Sequence, residues 1–405
     1  MEPKIRFKGF EGEWKEVKLG DIAKFSKGQG YSKSDLKETG HPIILYGRMY
    51  TKYRFAIDEV DTFANLKDSS ILSEGNEIIM PSSGETPEDI ACASAVLAKE
   101  IILGGDLNIM HFDLTKFSTS YIALVITYGK THHDLSKCAQ GKSVVHLHNG
   151  AISKAIITLP SLAEQQAIAS YFTFLDSHIS ASTSRLASLK QMKAASLQAM
   201  FPQEGETVPK IRFKGFEGEW KKVKLSEILT ERHENSTITD SLPQLSFTIA
   251  DGVIRPEDRK SNKRDFLIKD IDNKRYLVTK VGDIIYNPAN VVYGAIHRNS
   301  LMNGVVSPIY KIFTTMQDSN FIECAVRRPS FITKLAMCTE GTVTKLKTLK
   351  PEAFLNMEVC ITPSLEEQKL IGNYFTSLDR QISLQSQRLE KLKQIKSACL
   401  DKMFV

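Results

Sequence analysis

The sequence predicts two globular domains of mixed α/β (α+β) character, separated by a pair of long antiparallel coiled-coil helices and related by an internal repeat. Three observations predict this fold. A stretch near the N-terminus recurs in mid-chain almost unchanged, a second stretch that closes each half also recurs, and the residues between the repeats differ. A repeat is read before local propensity because it sets the architecture.

The first repeat runs from Pro3 to Leu19 (PKIRFKGFEGEWKEVKL) and returns from Pro209 to Leu225, where Lys222 replaces Glu16 as the single change. The second opens with PSLxEQ at Pro160–Gln165 and at Pro363–Gln368, and ends with Met-Phe at Phe201 and at Phe404. Four segments follow: domains over 1–160 and 204–362, and helices over 161–203 and 363–405, with Pro202–Pro209 as the short connector. The interiors, 23–159 and 229–362, share only echoes such as Cys138-Ala-Gln-Gly141 against Cys338-Thr-Glu-Gly341. Neutral drift would have eroded the ends as well as the middles. The ends therefore serve a shared mechanical task, and each middle faces its own target.

In the first closing segment Ile168, Phe172, Leu175, Ile179, Leu186, Leu189 and Leu197 recur at helical spacing, with no Pro or Gly before Pro202. Ile371, Phe375, Leu378, Ile382, Leu389, Leu392 and Leu400 repeat the phase. Each stripe spans about 57 Å at 1.5 Å per residue, more than a small domain can cover, so each is expected to pair with the other. Ser182 and Gln385 are polar breaks in that seam. A rigid pair fixes the separation of whatever the two domains present, as a flexible linker does not.

A length of 405 residues suits two domains, and 42% hydrophobic with 25% charged residues is the composition of a globular protein. The charged start and the lack of any stretch near ~18 apolar residues point to a soluble, cytoplasmic chain with no membrane partner. The six cysteines lack CxxC spacing and read as reduced thiols. A charge of +6 with pI near 8.8 is compatible with a polyanionic partner without requiring one.

Several motifs fail on inspection. Tyr286-Asn287-Pro288-Ala289-Asn290 partly resembles an adenine-methyltransferase motif, but Ala289 and Asn290 replace the second proline and the stacking ring. Gly141-Lys142-Ser143 ends like a P-loop, yet Ser136 stands where the first glycine is required. His132-His133 and His146-Leu147-His148 lack ligand spacing, so no metal site is expected. No catalytic residues and no cofactor are assigned.

The PSLxEQ openings, the long helices after them and the KGFxGEW starts together resemble type I restriction-modification specificity subunits over the whole chain. Tyr46–Tyr53, Pro81–Thr86 and Gly104–Asn108 in the first half, and Gly282–Ile285 and Gly304–Pro308 in the second, also resemble segments of that family's target-recognition domains. The resemblance implies a non-enzymatic subunit whose two domains each read one half of a bipartite site in double-stranded DNA. It further implies two DNA-methyltransferase subunits held on the helices, and restriction/translocase subunits joining that core. The alternatives are a self-contained DNA-modifying enzyme, for which the methyl-donor loop and carboxylate set are missing, and a coiled-coil protein adaptor, which leaves the divergent middles unexplained.

DNA contact needs Lys and Arg for phosphates and Arg, Asn, Ser, Thr or His for base edges. In the first domain the expected residues are Arg48, Tyr50, Lys52, Tyr53, Arg54, Ser82, Ser83, Lys142 and Ser143, where basic, hydroxyl and aromatic groups gather around turn glycines. In the second they are Arg259, Lys260, Lys263 and Arg264, from a basic run, with Asn287, Asn290, Tyr293, His297, Arg298, Thr342, Thr344 and Lys345. Trp14 and Trp220, in the repeated starts, are assigned to packing.

Overall fold

A computed structural model describes residues 3–141, 143–259, 275–339 and 348–404. The chain divides into two compact units, Met1–Thr183 with Gln387–Val405, and Ser184–Ser386. Each long helix, Leu162–Ala199 and Leu365–Met403, therefore contributes to both units. No helix among the described residues is long and apolar enough to cross a membrane.

In the first unit a five-stranded sheet has the order Ala23–Lys27, Leu107–Phe112, Glu77–Pro81, Ser94–Val96, Ala56–Ile57, antiparallel except for its last pair. Glu77–Pro81 is buried along its length, as a central strand covered on both faces must be. One face packs on the helix Thr119–Thr127, which is apolar nearly all round and buried accordingly. The other meets a smaller cluster that includes Ile44, Met49 and Ile57.

The second unit builds its sheet in the order Leu229–Glu231, Lys311–Thr315, Ile284–Tyr286, Ile296–Arg298. Its first three strands repeat the antiparallel edge of the first unit's sheet. The helix Ser319–Val326 takes the place of Thr119–Thr127. The sequence echo at Cys138 and Cys338 is a helix end in both units, each amide bonding back at 3.0 Å to a leucine carbonyl, Leu135 or Leu335.

The repeated residues account for this likeness. Lys15–Lys18 pairs antiparallel with Ile156–Leu159, and Lys221–Lys224 with Glu358–Ile361. Arg6 forks onto Glu164 through Nε at 2.7 Å and Nη2 at 2.8 Å, and Arg212 grips Glu367 at 2.6 and 2.9 Å. Both glutamates are buried, so these bidentate pairs lock each opening segment to the helix that closes its own unit. The next residue holds the helix beneath: the Gln165 side-chain oxygen accepts from the Ser118 amide, and that of Gln368 from the Asp318 amide, both at 3.0 Å. Ser118 and Asp318 cap Thr119–Thr127 and Ser319–Val326 through their side chains. The larger Asp318 needs Gly372 opposite, where a Cβ would stand 2.5 Å from its Oδ1; the smaller Ser118 coexists with Ala169 at the matching position.

The long helices pair antiparallel within each unit. Asp176 meets Lys396 at 2.5 Å and Tyr171 meets Cys399 at 3.6 Å in the first; Asp379 meets Lys193 at 2.5 Å and Tyr374 meets Ser196 at 2.9 Å in the second. These are the same positions of the repeat with the helices exchanged. Ile168, Phe172, Leu175 and Leu189 are buried along one stripe, Ile371, Phe375, Leu378 and Leu389 along the other, and Ser182 and Gln385 are buried with them. The last residues plug the cores. Phe201 packs on Trp220 and Phe321 (ring centroids 5.6 and 5.3 Å), while Phe404 packs on Tyr121 and Phe172 (6.1 and 5.8 Å). The C-terminus therefore completes the first unit, each plug contributing roughly the 1.5–3 kcal/mol of a buried phenylalanine.

Candidate nucleic-acid interface

Against this common frame, the two units differ at their surface turns. In the first, Tyr46 and Gly47 lead into the single helical turn Arg48–Thr51. Arg48 and Lys52 both engage Asp61, the lysine at 2.5 Å, and their hydrogen bonds, that of Lys52 foremost, hold the Asp61 carboxyl well below the usual carboxylate range. Arg54 pairs with Asp58 at 2.9 Å. Three cations of the segment thus lie against Asp58 and Asp61, with Glu85 and Asp89 near Tyr50, and Lys52 and Arg54 are exposed. Tyr50 lies half-buried beside Tyr46, and burial raises its phenol. Tyr53 turns inward, donating to the Ala93 carbonyl and to Thr127 Oγ1 at 3.1 Å, and burial pushes its phenol well above the ordinary value.

Ser82 and Ser83 are buried. Lys27 Nζ donates to Ser82 Oγ at 3.4 Å, the Ser82 amide donates to Asp106, and Ser83 pairs with His146 across a two-stranded ribbon. Ser143 is exposed next to that ribbon, and Lys142 lies outside the described residues. His146 and His148 are exposed and stacked at 6.0 Å beside it.

In the second unit the strands Ile284–Tyr286 and Ile296–Arg298 form a hairpin whose connection carries the other candidates. Asn287 Oδ1 accepts from the Ala289 amide at 3.0 Å, an Asx turn that sets the corner. Asn290 begins a 3-10 turn, Val291–Tyr293, closed by Gly294 at φ 84, and Tyr293 stands 72% exposed at the tip. Asn287 and Asn290 flank it, half-buried. His297 and Arg298 sit at the base of the hairpin. His297 is buried, 2.8 Å from the Ile249 carbonyl and 3.4 Å from Glu323, and Arg298 lies 3.8 Å from the same carboxylate. Arg259 is half-buried. Lys260, Lys263, Arg264, Thr342, Thr344 and Lys345 lie outside the described residues.

A family model, the type I restriction modification DNA specificity domain, matches twice, over residues 11–191 and 217–394. The chain belongs to this family. It is a DNA-specificity subunit of a type I restriction-modification system, with one copy of the specificity domain in each half. Over 96% of its length it is 22% identical to the type I restriction enzyme MjaVIII specificity subunit of Methanocaldococcus jannaschii, of which it covers 91%. Its fold is similar to the crystal structure of a type I system S subunit from M. genitalium, with a TM-score of 0.62 at 14% identity, covering 100% of this chain and 99% of that one.

The specificity subunit's frame contains residues that sequence reasoning did not single out. Arg6 and Arg212 sit in one repeat, Glu164 and Glu367 in the other, and complementary charges kept in both copies are the signal that marks them as partners. Trp14 and Trp220 are buried in the two cores, as assigned. Among the described residues Glu74, Glu77 and His111 bring potential ligand atoms within 4.8 Å. Both Glu77 oxygens, however, accept from the Glu74 and Gly75 amides and shape that turn, while His111 Nε2 lies 3.1 Å from Ser26 Oγ across the neighbouring strand. Tyr286, at the head of the methyltransferase-like string, is buried and donates to the Leu349 carbonyl at 3.3 Å.

Proposed function

We propose that the two halves act as separate readers of one bipartite DNA site. In this reading residues 1–160 and 204–362 are the target-recognition domains, and 161–203 with 363–405 form the spacer. The subunit directs two DNA-methyltransferase subunits and the restriction/translocase subunits to the site, in the cytoplasm. The observation that carries the reading is the pairing of one repeated frame with two unlike interiors, which bring candidate contacts to the surface at different places, Tyr46–Arg54 in one and Asn287–Gly294 in the other. A frame built twice with the same clamps holds each reader alike, while unlike turns contact unlike bases. Arg48, Tyr50, Lys52, Arg54 and Ser143 in the first reader, and Asn287, Asn290 and Tyr293 in the second, are the proposed contacts that stand at or near the surface. Helices of fixed length support a fixed spacing between half-sites, the geometry that readers of paired half-sites require.

The test is single-molecule methylome sequencing of a host lacking other methyltransferases, expressing the chain with and without its methyltransferase subunit. A bipartite methylated-adenine motif is expected only when both are present, and exchange of residues 23–159 should change one half-site alone. Methylation by the chain by itself would make it an enzyme; absence of any motif from an assembled complex would defeat the reader assignment.

A further inference from the structure

Each sheet has one central strand pair, and the register brings the ends of the two pairs into correspondence. In the first unit Met80 pairs with Asn108, and in the second Tyr286 pairs with Lys311. Two residues on, the Ser82 carbonyl accepts from the Leu147 amide at 2.9 Å, and the Pro288 carbonyl from the Leu349 amide at 3.0 Å. The carbonyls of those two leucines are also held alike, by Asn108 Nδ2 at 2.8 Å and by Tyr286 Oη at 3.3 Å. The backbone frame at this strand end is thus shared, although its side chains are not. Continuing the register sets Asp106 opposite Ser82 and Ile309 opposite Pro288. In the first unit the Ser82 amide donates to the Asp106 carbonyl at 2.7 Å; Pro288 has no amide hydrogen with which to repeat that bond.

Both positions face solvent, and neither side chain is tied into its own unit. Asp106 is exposed, and its carboxylate forms no hydrogen bond or ion pair among the described residues. Its φ of 58° admits aspartate, asparagine or glycine and does not require a charge. The loop that carries it is tightly built. The Gly105 amide bonds to the Gly30 carbonyl at 2.6 Å, and a Cβ on Gly28 would stand 1.9 Å from the Gly104 carbonyl oxygen. Asp106 is therefore presented rigidly, opposite Ser82, to which the exposed Lys27 donates at 3.4 Å. Ile309 is 60% exposed, while its neighbour Tyr310 packs against Phe247 with ring centroids 5.2 Å apart. The turn that follows Tyr286 brings Asn287, Asn290 and Tyr293 to the same strand end.

We infer that Asp106 and Ile309 are corresponding specificity-determining positions, the first accepting from a base amino group and the second covering a thymine methyl. The inference rests on the two-reader assignment and names what each reader asks of one base. An ionised carboxylate can only accept, and the phosphates of a duplex repel it, so at a DNA surface it is favoured where it meets a donor. In the major groove those donors are the amino groups at cytosine N4 and adenine N6. An isoleucine side chain neither donates nor accepts, and the apolar group that the same groove offers it is the 5-methyl of thymine. One frame that carries a carboxylate in one copy and an alkyl group in the other asks for different bases at corresponding steps of unlike half-sites.

The experiment uses the full chain co-expressed with its methyltransferase subunit. Methylome sequencing reads the motif, and fluorescence anisotropy of the assembled complex reads duplex affinity. The variants are Asp106→Asn and Asp106→Gly, both compatible with the left-handed turn, and Ile309→Ala, with thermal melting to verify the fold. Asp106→Asn should relax or change a single position of one half-site, a cytosine or an adenine, and weaken binding of the original duplex by at least about fivefold. Asp106→Gly should relax the same position. Uracil in place of one thymine of the other half-site should weaken wild-type binding by about fourfold, the effect of losing one buried methyl, and should not weaken the Ile309→Ala complex further. An unchanged motif and affinity in both Asp106 variants would overturn the carboxylate contact. If no thymine of the second half-site shows that coupling to Ile309, the methyl contact is overturned. A change in both half-sites from one substitution would overturn the separate readers instead, and a wild-type complex with no bipartite motif would overturn the DNA reading and both contacts with it.

Discussion

The Arg6–Glu164 clamp and the Arg48–Lys52–Asp61 cluster are both built from basic side chains on a carboxylate, yet they do different work. In the clamp, and in its twin Arg212–Glu367, the acid is buried, the guanidinium is bidentate, and the residues are the same in both units. In the cluster Asp61 is 60% exposed and two cations share it. A pair removed from water is costly to disturb and is therefore kept; an exposed pair contributes little and leaves its cations able to exchange an aspartate for a phosphate. Identity between the two clamps thus marks where each half of the chain grips itself.

The largest effect that would test this contrast is loss of the clamp. Arg212→Ala leaves Glu367 buried without its partner and is expected to destabilise the second unit by about 3–5 kcal/mol. Urea denaturation followed by Trp220 fluorescence in a Trp14→Phe background reads that unit separately, since the chain has two tryptophans, one per unit. A loss under about 1 kcal/mol would show that the clamp does not hold the frame.

An intermediate effect concerns pH. Burial alone would raise the Glu323 carboxyl, but the His297 hydrogen bond and the Arg327 charge outweigh it and leave the group below its ordinary value of 4.5. A carboxyl lowered in the folded state stabilises above its unfolded pKa, and that stability is lost as pH falls through the folded value. The second unit should therefore weaken below about pH 4.5, with a slope from this group of at most about 1.4 kcal/mol per pH unit. Glu323→Gln should flatten the acid limb of a stability profile; an unchanged limb would mean that Glu323 titrates as it does in the unfolded chain.

The smallest stability effect is expected at the tip. Tyr293→Ala should alter unfolding by no more than about 0.5 kcal/mol because the ring is exposed. It should nevertheless weaken cognate duplex binding by the assembled complex by about 1–3 kcal/mol, measured by fluorescence anisotropy, and only at one half-site. Equal loss at both half-sites would contradict separate readers.

Much of this could be read before any coordinates, because repetition and periodicity are local properties of the string. The duplicated starts, the PSLxEQ closings and the two phased stripes each lie within one continuous stretch, and hydrophobic spacing decides which helix face is covered. The candidate contacts were less legible. Tyr53, His297 and Ser82 have the chemistry of base-reading residues, but whether a side chain points to water or into the fold depends on which strand crosses behind it. Tyr53 meets Thr127, His297 meets Ile249 and Glu323, and Ser82 is joined to Lys27 and Asp106.

The twofold repeat of domain and helix is therefore legible in the amino-acid string, because copied residues and a 3.6-residue period are visible without knowing what touches what. The folded chain was needed to show that Arg6 belongs to Glu164, that Gln165 holds the cap of another helix, that Phe404 packs into the core of the first unit, and which polar side chains remain at the surface. Those outcomes join residues far apart in the chain. Burial and hydrogen-bond geometry, which select among many chemically plausible partners, exist only once the chain has closed on itself.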